Sequence, residues 1–296
     1  MQSSLCKCSL VLLLGITCLV IADDLQVTNL DDPALGVEVR TASEIKDILK
    51  EKAVEPPTKL GVFVNHIEPY SPAARAKVQL TDIITHVNKK PVQNTDEFIA
   101  AVSELSIGKE YELGGYSLVQ TGNKFRWKKG TVKITPVSKR DVFLNALRKT
   151  TDTVREVASY QHIDSQVYVN TRSDFYAYIV TSADVKPTLK LRIQYVANDW
   201  LFIRGYTIKA DESAFTIKAD GIRDVERDNS GGKIWEWHDL PVGDRELEMI
   251  KVIIRADRVI LRCEGDKYVK DRLLSDAEVR RLGTVLTAFQ IMKKEQ

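Results

Sequence analysis

A succession of short apolar segments, separated by turn and capping residues between positions 34 and 137, constrains the fold of this chain most strongly. Ser71-Pro72 begins a short helix there, because proline suits the first helical position, where no backbone N–H is needed. Thr95, or the residue before it, caps a second helix whose apolar residues recur at helical spacing. The pattern predicts one compact domain of strands and short helices. Its clearest strand-like segments are residues 36–40, 61–67, 83–87 and 111–119.

The order and spacing of these elements resemble a PDZ domain in the bacterial HtrA-type arrangement, over residues 34–137. The resemblance implies a partly open β-barrel with two helices. Two positions depart from the family pattern, because Lys77 and Thr81 stand where glycine is usual, and we expect strained turns there. Residues 111–129 are longer and more irregular than the family's final hairpin. The motifs that carry the resemblance are Leu35-Gly36-Val37, Gly61-Val62-Phe63-Val64, Ser71-Pro72-Ala73-Ala74-Arg75-Ala76, Asp82-Ile83-Ile84, Asn88-Lys89-Lys90-Pro91-Val92 and the helix from Thr95.

The resemblance also implies a groove for an extended peptide or a protein C-terminus. The ligand would add itself as a strand beside residues 36–40, and its free carboxylate would be held by backbone N–H groups of the loop through Leu35 and Gly36. Phe98 and Val102 would face the core of the domain rather than the ligand. The implied groove residues are Leu35, Gly36, Val37, Val39, Thr95 and Ile99.

The second half of the chain carries clear strand and helix signals but resembles no known family. Residues 189–195 alternate strictly between apolar and polar, which is typical of a strand with one buried face. The sequence Thr-Ile-Lys-Ala-Asp starts at Thr207 and again at Thr216, a spacing that suits a hairpin. Two helices are predicted near the C-terminus, one of them after a capping box at Ser275. Residues 164–296 are therefore expected to form a mainly antiparallel sheet or sandwich with C-terminal helices.

The segment that joins the two halves, residues 138–163, is predicted to be helical. Phe143, Leu147, Val154 and Val157 recur there at helical steps, which favours one or two linking helices. The predicted fold class of the whole chain is thus α+β, with a PDZ-type barrel, a helical linker and a β-rich domain.

The first residues are expected to be an export signal rather than part of the fold. Residues 10–21 are an apolar run followed by a cut expected after Ala22, so residues 1–22 are predicted to be a signal peptide and residues 23–33 a short polar leader. The protein is then secreted or periplasmic. A retained anchor and a lipid on Cys18 are the alternatives, although the run is short for a membrane span.

Composition argues against several classes of function. The formal net charge is only +2 and no basic stripe stands out, so nucleic acid is not expected as a partner. A membrane is expected only if a lipid or an uncleaved anchor is retained. The histidines lack metal-ligand spacing, so no metal or other cofactor is predicted, and Cys263 is expected to be a small buried residue. We interpret the chain as an exported, non-catalytic, peptide-binding adaptor.

Two alternatives place the function in the second half. Trp235 and Trp237 alternate on one strand, so their rings share a face that would serve as a platform for a glycan or another surface molecule. Ser230, which two glycines follow, resembles the nucleophile loop of trypsin-like serine proteases and would favour an unrecognised hydrolase in residues 164–296. That alternative lacks an evident base for the serine, so no catalytic residue is predicted.

Overall fold

The computed structural model describes residues 29–41, 55–122, 124–183, 185–220 and 223–295. The chain divides into two compact units, residues 1–145 and 146–296. The predicted signal peptide at 1–22, Cys18 and most of the predicted leader at 23–33 lie outside the described residues. None of the helices in the described parts of the chain combines the length and the apolar character that a membrane crossing requires.

The first unit combines antiparallel strands with short helices. Its strands are β1 (Pro33–Ala34), β2 (Val37–Arg40), β3 (Val62–Ile67), β4 (Ile83–Val87), β5 (Lys90–Pro91), β6 (Tyr111–Thr121), β7 (Lys124–Ile134) and β8 (Val137–Ser138). Its helices are α1 (Pro72–Arg75), α2 (Thr95–Ser103) and α3 (Lys139–Asn145). The main sheet has the order β2-β3-β4-β6-β7, β5 pairs with β4, and β1 pairs with β8. This arrangement confirms the PDZ-type architecture predicted for the front of the chain.

Helix α2 covers the core of the first unit. The Asn94 side chain accepts a hydrogen bond from the Glu97 N–H at 3.0 Å, so the helix begins with a satisfied N-cap. The inward positions Phe98, Ala101 and Val102 are buried against the sheet. The sheet contributes mainly β-branched residues to this core, which include Val37, Val39, Val62, Val64, Ile84 and Val87.

Two turns of the first unit hold non-glycine residues in left-handed backbone. Lys77 has a φ of 58° and Thr81 a φ of 74°, a region that L-residues enter only with strain. Both turns are closed by backbone hydrogen bonds, from Val78 N–H to Ala73 at 3.0 Å and from Thr81 N–H to Val64 at 2.8 Å. The two departures from the family pattern thus keep a left-handed backbone that glycine would adopt more easily.

The hairpin of β6 and β7 is more regular than the sequence suggested. Both strands are 11 residues long and they pair without a register shift. The expectation of irregular structure over residues 111–129 is therefore wrong. Glycine in this hairpin allows close packing between strands and does not interrupt the strand. A Cβ on Gly115 would lie 1.9 Å from the Ile83 carbonyl oxygen, so only glycine lets β4 approach β6 this closely.

The described residues of the second unit form two antiparallel sheets and two long helices, which confirms the β-rich fold with C-terminal helices predicted for residues 164–296. The sheet orders are β15-β16-β12-β11-β10-β9 and β14-β13-β17-β18. The strands are β9 (Leu147–Asp152), β10 (Val157–His162), β11 (Asp174–Ser182), β12 (Val185–Ala197), β13 (Ile203–Ala210), β14 (Ser213–Lys218), β15 (Val225–Ser230), β16 (Lys233–Pro241), β17 (Val259–Gly265) and β18 (Val269–Leu273). The helices are α4 (Asp244–Arg255) and α5 (Asp276–Lys294), and α5 packs against β10, β11, β12 and α4.

Three local predictions for this unit are confirmed: a hairpin, a capping box and a buried cysteine. The repeated Thr-Ile-Lys-Ala-Asp segments pair as the β13–β14 hairpin. Ser275 begins α5 with a capping box, since its side chain accepts from the Glu278 N–H at 3.3 Å while Glu278 accepts from the Ser275 N–H at 2.9 Å. Cys263 lies buried in β17, where burial raises the pKa of its thiol to about 12.

The predicted helical linker over 138–163 is wrong beyond its first residues. Only α3 is helical, and the chain continues as β9 and β10, which extend the first sheet of the second unit beside β11. Val154, which we placed in the apolar stripe of a helix, is 92% exposed in the turn between the strands. Val157 pairs with Ser182 and Gln161 with Tyr178, so the partners of β10 lie outside the segment whose periodicity predicted a helix.

A buried carboxylate connects the two sheets of the second unit. Glu236 on β16 is fully buried and accepts hydrogen bonds from the N–H groups of Leu201, Phe202 and Ile203 at 2.8 to 2.9 Å. Arg227 donates to the same carboxylate at 3.0 Å. Phe202 has a φ of 56°. This left-handed backbone lets successive N–H groups converge on one carboxylate. Glu236 therefore fixes the chain that enters β13.

Replacing this carboxylate with an amide tests its role in the second unit. Glu236→Gln leaves converging N–H donors without an anion and is expected to lower the free energy of unfolding by about 3 kcal/mol. Urea unfolding followed by tryptophan fluorescence reports mainly on this unit, since Trp200, Trp235 and Trp237 lie in it and Trp127 alone lies in the first unit. The control is Glu226→Gln on the exposed side of β15, with an expected change below about 0.5 kcal/mol. Equal effects of the two variants would contradict this role.

Candidate functional site

A small apolar cavity of the first unit lies where β2, α2 and α3 meet. Its volume is about 20 Å³, which is room for little more than one water molecule. The loop before β2 forms one side, α2 forms another, and α3 closes an end. The lining residues are Ala34, Leu35, Gly36, Val37, Phe98, Ile99, Val102, Lys139, Val142 and Phe143.

The loop that enters β2 is held in one backbone conformation by α1 and the residues before it. Gly36 has a φ of 71°, and the Leu35 carbonyl accepts from the Ala73 N–H at 3.0 Å. The Gly36 carbonyl accepts from the Glu68 N–H at 2.9 Å and from the Ser71 hydroxyl at 3.4 Å. Both carbonyl groups are therefore committed to hydrogen bonds inside the unit.

The same conformation leaves two backbone donors on the loop. Among the described residues, no hydrogen bond uses the N–H of Leu35 or of Gly36. Consecutive N–H groups in a turn that includes a left-handed residue form an anion-binding nest. The loop therefore offers the chemistry that binds a carboxylate.

Strand β2 lies at one end of its sheet. It pairs with β3, from Val37 opposite Ile67 to Arg40 opposite Phe63, with a register shift at Asn65 of β3. In the described part of the chain no strand pairs with its other edge. An edge strand presents unpaired N–H and C=O groups, so it can accept a further strand.

Helix α2 supplies the apolar side of the cavity. Ile99 is half-buried and lines the cavity, while Thr95 is half-buried but does not line it. Phe98 and Val102 are buried in the core as predicted, and each also contributes to the cavity wall. One face of the helix thus serves both the core and the groove.

The structure brings together four of the six residues that the sequence predicted for the groove. Leu35, Gly36, Val37 and Ile99 all line the cavity. Val39 is 2% exposed and, like Val37, packs in the core of the first unit, but it does not reach the cavity. Together with Thr95, it lies outside the cavity wall.

Sequence reasoning missed the contribution of α3. Lys139, Val142 and Phe143 line the cavity, and the two apolar residues are 1% and 3% exposed. We had assigned this stretch to the linker between the halves. The sequence did contain a signal for this helix. The adjacent apolar residues Val142 and Phe143 follow the last strand of the front domain and the capping residue Ser138.

The geometry gives less support to the glycan platform and to the hydrolase, the two alternatives that place the function in the second half of the chain. Trp235 is buried and Trp237 half-buried, so their rings do not form an exposed platform. Ser230 is exposed at the end of β15, and the left-handed residues Gly231 and Gly232 form the tight turn into β16. Within the described residues, no His, Cys, Asp or Glu side chains are grouped as a metal site.

Comparison with known proteins assigns the first unit to a class. The PDZ domain family model matches residues 33–116, so this segment is a PDZ domain, a module that recognises peptide chains. A solved structure of the HtrA3 PDZ domain bound to a phage-derived ligand (FGRWV) is similar at 24% identity. The match covers 35% of this chain and 84% of that chain, with a TM-score of 0.27. The curated proteins gave no match to the chain.

The conformation of the loop predicts that the stability of the first unit depends strongly on Gly36. A Cβ there would lie 2.2 Å from Ser71 Cβ, in a backbone conformation that alanine adopts with strain. Gly36→Ala is expected to lower the unfolding free energy of the first unit by about 3 kcal/mol, from strain and overpacking together. Hydrogen exchange of the β3 and β4 amides measures this quantity.

The matched control for this variant is Gly108→Ala. Gly108 has a φ of 79° and nothing lies within 4 Å of the added Cβ, so only the strain of the left-handed backbone applies. The expected loss is about 1 kcal/mol. If the two variants lost the same free energy, the close contact between Gly36 and Ser71 would not be what fixes the loop.

Proposed function

We propose that this protein captures peptide or protein chains in an extended conformation at the groove between β2 and α2. The observation that carries the proposal is the convergence of the loop at Leu35 and Gly36, the edge of β2 and the apolar residue Ile99 on one cavity. A PDZ domain match over residues 33–116 supports the same class of ligand. No step of the proposal needs a catalytic residue or a cofactor.

Backbone pairing supplies the general part of the affinity. A ligand strand laid along β2 gains main-chain hydrogen bonds on the edge that β3 does not use. Alternate ligand side chains then face α2, where Ile99 and the walls at Val37 and Val102 favour apolar groups. Sequence preference therefore resides in the side-chain positions, while the backbone pairing tolerates many sequences.

The loop defines which end of the ligand is bound. The N–H groups of Leu35 and Gly36, which make no hydrogen bond to the described residues, suit a terminal carboxylate, because both can donate to its oxygens. We infer that the preferred ligand is the C-terminus of a chain rather than an internal segment. The apolar run at residues 10–21 supports a further proposal, that the protein meets this ligand after export.

Placing a charge in the groove tests whether the groove is the peptide-binding site. Ile99→Asp puts a carboxylate in the apolar wall, next to where the carboxylate of the ligand would lie, and is expected to weaken binding at least about tenfold. Binding is measured by fluorescence anisotropy on the full-length protein, with labelled random-sequence peptides that have free carboxyl ends. The matched peptides with amidated ends are expected to bind at least about tenfold more weakly, since an amide offers one acceptor and no charge.

A second isoleucine of the same unit serves as the control. Ile107 is 48% exposed and does not line the cavity, so Ile107→Asp is expected to leave peptide affinity unchanged. Thermal unfolding of both variants establishes that each remains folded. Undiminished binding by a folded Ile99→Asp variant, or equal losses in the two variants, would refute the groove as the binding site.

A further inference from the structure

Strand β7 concentrates positive charge at one end of the first unit's sheet. Residues 113–140 contain no aspartate or glutamate, although the formal net charge of the whole chain is only +2. Acidic residues elsewhere in the chain therefore conceal this concentration, and the expectation that no basic stripe stands out is wrong for this strand. The basic residues of β7 are Lys124, Arg126, Lys128, Lys129 and Lys133.

Most of this charge is not neutralised within the unit. Lys133 pairs with Glu110 at 2.8 Å, and Arg126 donates to the uncharged hydroxyl of Thr121 at 3.2 Å. Among the described residues, no carboxylate forms an ion pair with the other basic side chains or with the Arg126 guanidinium. The strand thus presents a field that favours a negatively charged partner.

Strand β7 is also an edge of the sheet. The order β2-β3-β4-β6-β7 places it at the end opposite β2, and no described strand pairs with its outer side. Gly130 is exposed and nothing lies within 4 Å of an added Cβ, so the backbone itself reaches solvent there. Edges of this kind are protected by bulges, prolines or charges. Because β7 has no proline and pairs with β6 without a register shift, its basic side chains are its protection.

A cleft of about 280 Å³ opens on one face of the β6–β7 hairpin. Val119 and Lys128 line it from the hairpin, and Lys77 lines it from the turn after α1. Val119 lies directly opposite Arg126 in the pairing, and residues two apart on a strand share a face. Lys124 and Arg126 therefore project to the same side of the sheet as Lys128, next to the cleft.

The lining of the cleft combines apolar surface with one carboxylate. Val78, Leu113 and Val132 supply apolar surface. Asp82 is the acidic residue of the lining, and its Oδ2 atom accepts from the Gln79 N–H at 2.9 Å, within its own turn. The volume is many times the roughly 30 Å³ that a water molecule occupies in the liquid. The cleft therefore has room for an apolar side chain of a ligand.

We propose that the outer edge of β7 is a second binding site, which takes an acidic polypeptide segment in an extended conformation. Lys124, Arg126 and Lys128 repeat about every 6.6 Å, the spacing of alternate side chains on a strand. Carboxylates at every second residue of the segment can each meet a basic side chain while its backbone pairs with β7. Nucleic acid or a lipid surface could use only the charges. The same charges repel a second copy of β7, so they select against self-pairing.

This site goes beyond the groove of the proposed function. Strands β2 and β7 lie at opposite ends of one sheet, so the two sites do not share a binding edge. A single PDZ-type unit then holds two chains at once, one by its terminus and the other by its acidic character.

A labelled peptide of alternating glutamate and valine tests the site on the full-length protein. Both ends are blocked, so the peptide offers no terminal carboxylate to the loop at Leu35 and Gly36. We expect fluorescence anisotropy to show binding, and no binding of the matched lysine–valine peptide. Raising the salt from about 0.1 M to about 1 M shortens the screening length from about 10 Å to about 3 Å and is expected to weaken binding at least about tenfold. Salt-independent binding overturns the proposal.

Charge reversal on the strand locates the site. Arg126→Glu with Lys128→Glu is expected to weaken binding at least about tenfold. The control is Lys89→Glu with Lys109→Glu, which changes the net charge equally at exposed residues outside β7 and the cleft. Its expected effect is below about twofold. Equal losses in the two folded variants, verified by thermal unfolding, overturn the site.

Peptide backbone chemistry tests strand addition on the wild-type protein, without any variant. Two further peptides are N-methylated, one at every valine and the other at every glutamate, so each lacks the N–H donors of one edge. Only one set of N–H groups can face β7, so we expect one of these peptides to bind at least about tenfold more weakly than the other. Equal affinities of the two overturn strand addition.

Other occupants give different results. Binding of phosphatidylcholine–phosphatidylserine vesicles or of a single-stranded oligonucleotide, with no binding of the acidic peptide, overturns the proposal. The groove variant Ile99→Asp is expected to bind the blocked acidic peptide as the wild type does. A loss of at least about tenfold in that variant would show that the peptide occupies the groove and would refute a separate site.

Discussion

The left-handed backbone at Gly36 is the constraint on which the site depends. Because Ser71 fills the space where a Cβ would stand, only glycine allows the loop to pack against α1 and still turn into β2. That turn commits the carbonyls of Leu35 and Gly36 to the interior of the unit. Among the described residues no hydrogen bond uses their N–H groups, so one backbone conformation gives both a fixed loop and the donor geometry of an anion-binding nest.

The elements of the first unit were largely predictable, because their signals are local. Caps, turns and strand-length apolar runs each report a conformation of nearby residues, and the strained turns at Lys77 and Thr81 followed from non-glycine residues at glycine positions. Val39 was misplaced because groove and core share one face of β2: Val37 and Val39 both pack in the core, and only Val37 also reaches the cavity. Alternation identifies that face and does not tell the two positions apart.

Features that depend on pairing or packing outside the local segment escaped the sequence. The helical steps through Val154 and Val157 suggested a helix, yet the chain there becomes a hairpin that pairs with β11, and Val154 is solvent-exposed in its turn. Val142 and Phe143 were assigned to the linker because an adjacent apolar pair marks a buried helix face but does not show which cavity it lines.

The central claim is that the loop N–H groups bind a chain terminus, and backbone amide chemical shifts test it most directly. In a titration of isotope-labelled full-length protein with a free-carboxylate peptide, the amide protons of Leu35 and Gly36 are expected to move downfield as they donate to the carboxylate. The amidated peptide should not produce this shift. If these two amides stay in place while the peptide binds elsewhere on the protein, the account is contradicted.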